Sequence, residues 1–219
     1  MSTIGRSRAV LAACVVTFVT TVLPGPLSAQ TLEAVPFGGG VLPLGTLVRQ
    51  GRASLSHRPN VVFGGRLDLW LWSSAGLEVA ASFSPSGFRA ADALGASLDT
   101  TGSLFAVTGR FVYRFARTGL ASWHVLAGAG VVTHGGSYVT NVTGRTHLTG
   151  VVGVTGRFQV SRGTAIVVAA EDYVYSVKFA GIPGIVPAAR LNNDVVLSLG
   201  IVVPLGARGD DDDYMRVIR

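Results

Sequence analysis

Cysteine, lysine and charge are all scarce here, and each scarcity excludes something. Cys14 stands alone among 219 residues, so no disulfide framework is possible within the chain. Charged residues make up 14% of the chain, well below the roughly 25% of an ordinary soluble domain. Hydrophobic residues reach 48% and the mean hydropathy is +0.47, which excludes an intrinsically disordered chain. Past residue 30 no apolar run approaches the ~18 residues that a membrane-crossing helix needs. Lys178 is the sole lysine, and arginine supplies the rest of a net charge of +6. These arginines are scattered singly, so no basic patch of the nucleic-acid-binding kind forms and no nucleic-acid partner is expected. Arginine instead suits buried ion pairs, because its planar guanidinium donates paired hydrogen bonds to carboxylates.

What is present begins with an export signal. Arg6 and Arg8 precede the apolar stretch 9–23, which Pro24, Gly25 and Pro26 end. Leu27-Ser28-Ala29 then offers a small residue before a cut near Ala29. Charge, apolar stretch and small residue in that order mark a cleaved signal peptide over 1–29. A short membrane anchor is the alternative, disfavoured by the shortness of the stretch. Leu11-Ala12-Ala13-Cys14 has the look of a lipoprotein acylation box. Its cysteine, however, precedes most of the apolar segment instead of following it.

From residue 35 the hydropathy alternates with a period of two, the signature of strands whose side chains point to opposite faces. Phe63, Leu67, Leu69 and Leu71 oppose Arg66 and Asp68. Leu77, Val79, Ala81 and Phe83 oppose Glu78. Phe105, Val107, Phe111, Tyr113 and Phe115 oppose Arg110 and Arg114. Similar alternation runs through 123–131, 148–160, 165–176 and 195–205, and 35–47 is apolar and Gly-rich. The count is eight strands of roughly 10–14 residues, longer than soluble strands usually are. Short connections at 73–75, 116–120 and 161–163 alternate with long ones at 48–60, 84–101, 133–146 and 178–191. That rhythm is the layout of an up-and-down transmembrane β-barrel with short periplasmic turns and long external loops.

A soluble ligand-binding barrel shares the alternation with its faces reversed. Strand length, the Arg/Glu chemistry of the polar parity and an aromatic group favour the membrane form. Tyr113, Phe115 and Trp123 flank a short turn on the apolar parity, as an interfacial girdle would. The fold class read from the sequence is therefore an all-β, eight-stranded antiparallel up-and-down transmembrane barrel.

On this pattern the chain resembles the family of eight-stranded outer-membrane barrels that includes outer-membrane proteins A and X. The resemblance spans 35–206 and is architectural. One motif supports it: the last strand carries Ser198, Gly200, Val203 and Leu205. These residues are similar to the polar-x-Gly-x-x-apolar-x-apolar signal read by the barrel assembly machinery. Val203 and Leu205 stand where aromatics are usual, and fourteen residues follow. The resemblance implies a bacterial outer-membrane location, lipid and lipopolysaccharide as surroundings, and the assembly machinery as a partner during biogenesis.

The domain reading is a signal peptide at 1–29, a barrel at 30–206 and an acidic periplasmic tail at 207–219, where Asp210–Asp213 is expected to be solvated. Arg66, Asp68, Glu78, Arg110, Arg157 and Glu171 are expected to line the lumen. Eight strands leave an interior just wide enough for side chains to fill. Buried charges must pair, so an Arg–carboxylate network is expected there.

The functional expectation is a structural or surface-interaction role with specificity in the external loops. Narrow gated passage of small solutes, a lipid-modifying enzyme and a soluble periplasmic binder are the alternatives. No enzyme is expected, because none of His57, His124, His134 and His147 lies in a His-x-Ser-Asn context. His57, His134 and His147 are read as solvated loop residues, so neither metal nor cofactor is expected. No particular external ligand is specified.

Overall fold

A computed structural model of the chain describes residues 31–50, 53–85, 87–91, 97–136, 145–161, 163–177 and 190–205. The signal-peptide reading over 1–29, Cys14, and the tail with Asp210–Asp213 lie outside the described residues. Eight long strands form one antiparallel sheet that closes on itself: β1 (Thr31–Pro43), β4 (Asn60–Trp70), β5 (Ala75–Ser84), β8 (Ser103–Thr118), β9 (Ala121–Gly135), β10 (Thr146–Ser161), β11 (Thr164–Val177) and β12 (Arg190–Ile201). Each pairs with its sequence neighbour in the barrel, and β1 pairs with β12 to close the ring. Closure leaves no long edge unpaired. Val202 interrupts the last strand, and the short β13 (Val203–Pro204) resumes pairing with β1.

The register fixes the barrel's geometry. A line of paired residues runs Glu33, Asp68, Glu78, Arg110, Gly128, Val151, Tyr173, Asp194 and Pro43. It starts and ends on β1, displaced by ten residues from Glu33 to Pro43. A stagger of that size over eight strands tilts them by roughly 40° to the barrel axis. Because the line is perpendicular to tilted strands, it climbs the lumen like a ramp. Charges on neighbouring strands therefore occupy successive heights.

The faces separate as the alternation requires. Outward residues are apolar and exposed, among them Val61, Phe63, Leu67, Val79, Phe111, Val125, Val152, Val168, Leu197 and Leu199. Inward residues are buried and mix charged, polar and apolar types. Phe37, Val41, Val62, Ala106, Val132, Val151, Tyr173 and Val196 cluster with Leu104. A smaller group joins Val35, Ala165, Val167 and Val202. An apolar exterior around a charged interior inverts the soluble barrel, which places apolar side chains inside and polar ones outside.

The short turns are built tightly. Thr118 pairs with Ala121, leaving Gly119-Leu120 as a two-residue loop with Gly119 at φ 58°. No described non-glycine has positive φ, so this is the II′ arrangement, whose twist matches that of the flanking strands.

The long connections hold more order than their composition predicts. The reading of 48–60 and 84–101 as loops is corrected. They contain β2 (Thr46–Gln50), β3 (Ala53–His57), β6 (Gly87–Ala91) and β7 (Ser97–Thr101), which pair as a second sheet in the order β2-β3-β6-β7. Each begins or ends one to two residues from a barrel strand, so two hairpins prolong the barrel wall and pair with each other. Arg58 N–H donates to the Gly87 carbonyl at 3.0 Å between them. Five-residue strands give too short a run of alternation to register as strands, and the pairing that joins the two hairpins links residues more than thirty apart in sequence, as in Ser56 with Arg89.

Candidate functional site: the charged lumen

The parity that carries charge in the sequence is the inward one. The structure places Arg66, Asp68, Glu78, Arg110 and Glu171 in the barrel interior, all buried, with Arg157 beside them at the short-turn end. Two connected groups result.

The central group is built on Glu171. Its Oε1 accepts from Arg66 Nη2 at 2.8 Å and from Arg110 Nη1 at 2.9 Å, and its Oε2 accepts from Arg110 Nη2 at 2.9 Å. Arg110 thus holds the carboxylate through two parallel bonds, the geometry a guanidinium favours. The same Nη1 donates to Glu78 Oε1 at 2.8 Å, and Nε donates to Thr108 Oγ1 at 2.8 Å. Tyr173 O–H donates to Glu171 Oε2 at 3.0 Å, and Arg110 also reaches the Tyr173 hydroxyl. Arg66 donates to Ser198 Oγ at 2.7 Å and lies 4.2 Å over the Phe37 ring. Four strands, β4, β5, β8 and β11, thus meet across the lumen through two carboxylates and two guanidiniums.

The second group sits toward the short turns. Arg157 donates to Glu33 Oε2 at 2.6 Å and to Asp68. Trp70 Nε1–H donates to the same Glu33 oxygen at 2.9 Å. The Arg157 guanidinium stands 5.0 Å from the Trp70 ring, and His124 packs against that ring at 5.5 Å. Asp68 and Glu78 are directly paired acids on neighbouring strands. Arg157 and Arg110 approach them separately, one bonding Asp68 and the other Glu78.

Glycines make room for these side chains. A Cβ on Gly128 would lie 2.7 Å from Arg110 Cα and 2.9 Å from its Cγ, and one on Gly153 would lie 3.1 Å from Glu171 Cγ. The glycines of β9 and β10 therefore belong to the wall against which the central group lies. The network is under-satisfied in places: Nε and Nη1 of Arg66 and Oδ1 of Asp68 are buried without a hydrogen-bond partner.

Above the central group, toward the long connections, an apolar layer comes first and polar side chains follow. A cavity of about 10 Å³, the size of a single water site, lies among Val41, Val62, Leu104, Ala106, Val132, Val196 and Tyr173, with Asp194 at its wall. Tyr175 O–H donates to Asp194 at 2.5 Å. His134 and His147 lie beside Tyr175, with ring centroids 5.7 and 6.2 Å from its own. The reading of His134 and His147 as solvated loop residues is therefore corrected: both are buried in barrel strands. Alternation continues two or three residues beyond the last large apolar side chain, so β9 and β10 reach further than composition implied. His57 likewise lies in β3, not in a loop.

This is the fold of the small eight-stranded outer-membrane barrels. No family model matches the chain, and no curated protein is significantly similar to it. Solved structures are. The outer-membrane protein AlkL, determined in lipid bilayers, superposes with a TM-score of 0.57 at 14% identity, over 85% of this chain and 96% of that one. OprG of Pseudomonas aeruginosa gives 0.55 at 10% identity, over 80% and 92%. Outer membrane protein W of Escherichia coli gives 0.50 at 12% identity, over 78% and 96%. At these identities it is the closed barrel that is shared.

The remaining sequence-derived residues fall on the outer wall and the closing strand. Tyr113, Phe115 and Trp123 are outward and exposed beside the Gly119 turn, and Trp123 meets Phe158 edge-on at 5.9 Å. Gly200 is inward, where a Cβ would lie 2.9 Å from the Pro36 carbonyl oxygen. Val203 and Leu205 are exposed past the interruption at Val202, and Leu205 N–H donates to the Leu32 carbonyl at 2.9 Å.

Sequence reasoning missed Glu33, Trp70, Thr108, Tyr173 and Tyr175 as lumen residues. Parity would have found Tyr173 and Tyr175, two and four residues beyond Glu171. Glu33 lies two residues before the expected start of the first strand, where only the register to Asp68 reveals it.

Proposed function

We propose that this protein is an integral outer-membrane barrel with a closed lumen, serving as a rigid scaffold that presents its long-loop end to the cell exterior. The central group bound to Glu171 carries this reading, since its side chains meet in the barrel interior from β4, β5, β8 and β11 and are almost wholly buried. Outward apolar faces support insertion in lipid, with lipopolysaccharide in the outer leaflet and the assembly machinery engaging the Ser198–Leu205 segment during biogenesis. The β2-β3-β6-β7 sheet is the paired part of the long-loop end, and surface interaction is assigned to it because loops and hairpins on a fixed scaffold carry specificity.

Narrow gated passage is the second reading, favoured by the unmade bonds of Arg66 and Asp68, which mark where the network can rearrange. Planar-bilayer recording separates the two. The scaffold reading expects no steady conductance from the native chain, with leak appearing in Glu171→Ala as Arg66 and Arg110 lose their shared partner. Steady native conductance that Glu171→Ala or Arg110→Ala alters selects passage instead.

A further inference from the structure

Asp68 and Glu78 pose a problem that the ion pairs around them do not solve. They are register partners on β4 and β5, both inward and both buried. Their carboxyl groups lie within hydrogen-bonding reach of each other. Two carboxylates offer only acceptors, so no bond forms between them without a proton. Asp68 Oδ1 is buried and meets no donor. Like charges this close in a buried site oppose each other's ionisation.

The surrounding cations are already taken. Arg157, on β10, bonds Asp68 and also Glu33 of β1. Arg110, on β8, divides itself between Glu78 and Glu171 of β11. Arg66, on β4, bonds Glu171 and the neutral Ser198 of β12. His124, on β9, packs on Trp70 with Arg157 and Arg114 as its charged neighbours, a setting for the neutral ring. Arg114 itself bonds the Ser73 carbonyl at the short-turn end. The ion-paired set therefore holds four carboxyls, Glu33, Asp68, Glu78 and Glu171, against three guanidiniums. One negative charge is left over in an interior where an uncompensated charge is costly. A single proton cancels it, and between two facing acids that proton has an acceptor on either side. A metal ion is the other way to hold two acids together. Among the described residues no group of three or more His, Cys, Asp or Glu is arranged to hold one.

We propose that Asp68 and Glu78 form a proton-binding site, in which one shared proton joins the two carboxyls and brings the buried network to electrical balance. Release of the proton leaves two adjacent anions and no spare guanidinium. The unfolded chain gives the same proton up in the ordinary carboxylate range, about pH 4. Above that range the folded pair carries one more proton than the unfolded chain does, so stability falls as pH rises until the proton is released. This holds whether or not the barrel conducts.

The test pairs infrared spectroscopy with urea unfolding, on the full chain refolded in detergent. At neutral pH ordinary carboxyls are ionised. The native chain should nevertheless show the carbonyl band of a protonated carboxyl, shifted in heavy water. Asp68→Asn and Glu78→Gln each put a permanent amide donor where the proton sat, and each should remove that band. Asp194→Asn, which alters the separate bond to Tyr175, should retain it. Above the carboxylate range the native folding constant should fall up to tenfold more per pH unit than that of either amide variant. A pair of ionised acids predicts otherwise, with no band and with the native chain and the variants sharing one pH dependence. Gel mobility with and without boiling verifies that each variant is folded. Should neither amide variant fold, the native band and its retention in Asp194→Asn decide. The inference is overturned by the absence of a protonated-carboxyl band at neutral pH, by a band that both amide variants keep or that Asp194→Asn loses, or by amide variants whose pH dependence equals the native chain's. Stability that follows Na⁺ or Ca²⁺ concentration at fixed pH overturns it too, because a cation would then hold the pair.

Discussion

Glu171 shows how much one lumen side chain can hold. It accepts from two guanidiniums and a tyrosine, so its removal leaves buried Arg66 without its carboxylate partner and Arg110 with Glu78 as its carboxylate partner. Breaking a buried pair costs about 3–5 kcal/mol, chiefly through the charge left behind. Glu171→Ala should therefore unfold at distinctly lower urea than the native barrel, besides leaking in the bilayer. Gly128 makes the complementary point. A side chain there meets the backbone of Arg110 at 2.7 Å, and backbone paired on both sides cannot move aside. Gly128→Val should cost about 1–3 kcal/mol as an overpacking defect. Gly150 is the control, since a Cβ there comes no nearer than 4.0 Å to Val174 O, and Gly150→Ala should leave the urea midpoint nearly unchanged.

At the scale of the strand, alternation is both the message and its limit. Leu199 is outward and 59% exposed, whereas Ser198 beside it bonds Arg66 in the interior. If the outer face contacts hydrocarbon, Leu199→Arg should destabilise the barrel by about 2–4 kcal/mol, and Leu205→Arg at the strand's end by about 0–1 kcal/mol. Equal costs at the two positions in a vesicle-refolding titration would contradict a lipid-facing band. The eight long strands were legible because each carries several full periods of alternation. The short β2, β3, β6 and β7 were not, because five residues hold barely two periods and the pairing of β3 with β6 joins two different connections. His134 and His147 were misassigned for a related reason. They lie at strand ends, where pairing with a neighbour, and no local hydropathy, decides whether the strand continues.

For the whole molecule the decisive property is closure. A barrel whose hydrogen bonds all lie between strands resists detergent until heated. The chain recovered from washed outer membranes should therefore shift in apparent mass on boiling. Recovery from the soluble periplasm without such a shift would overturn the membrane assignment. The sequence by itself determined the class of fold, the number of barrel strands and which parity carries charge, because a period of two is written locally in every long strand. It also nominated Arg66, Asp68, Glu78, Arg110, Arg157 and Glu171 as inward, since charged side chains are costly against lipid. Which charges meet was decided only by the tertiary structure. The ten-residue stagger from Glu33 to Pro43 sets the height of each residue in the lumen, and the partners of Glu171 come from strands distant in sequence. That stagger is a property of the closed ring, and no single strand encodes it.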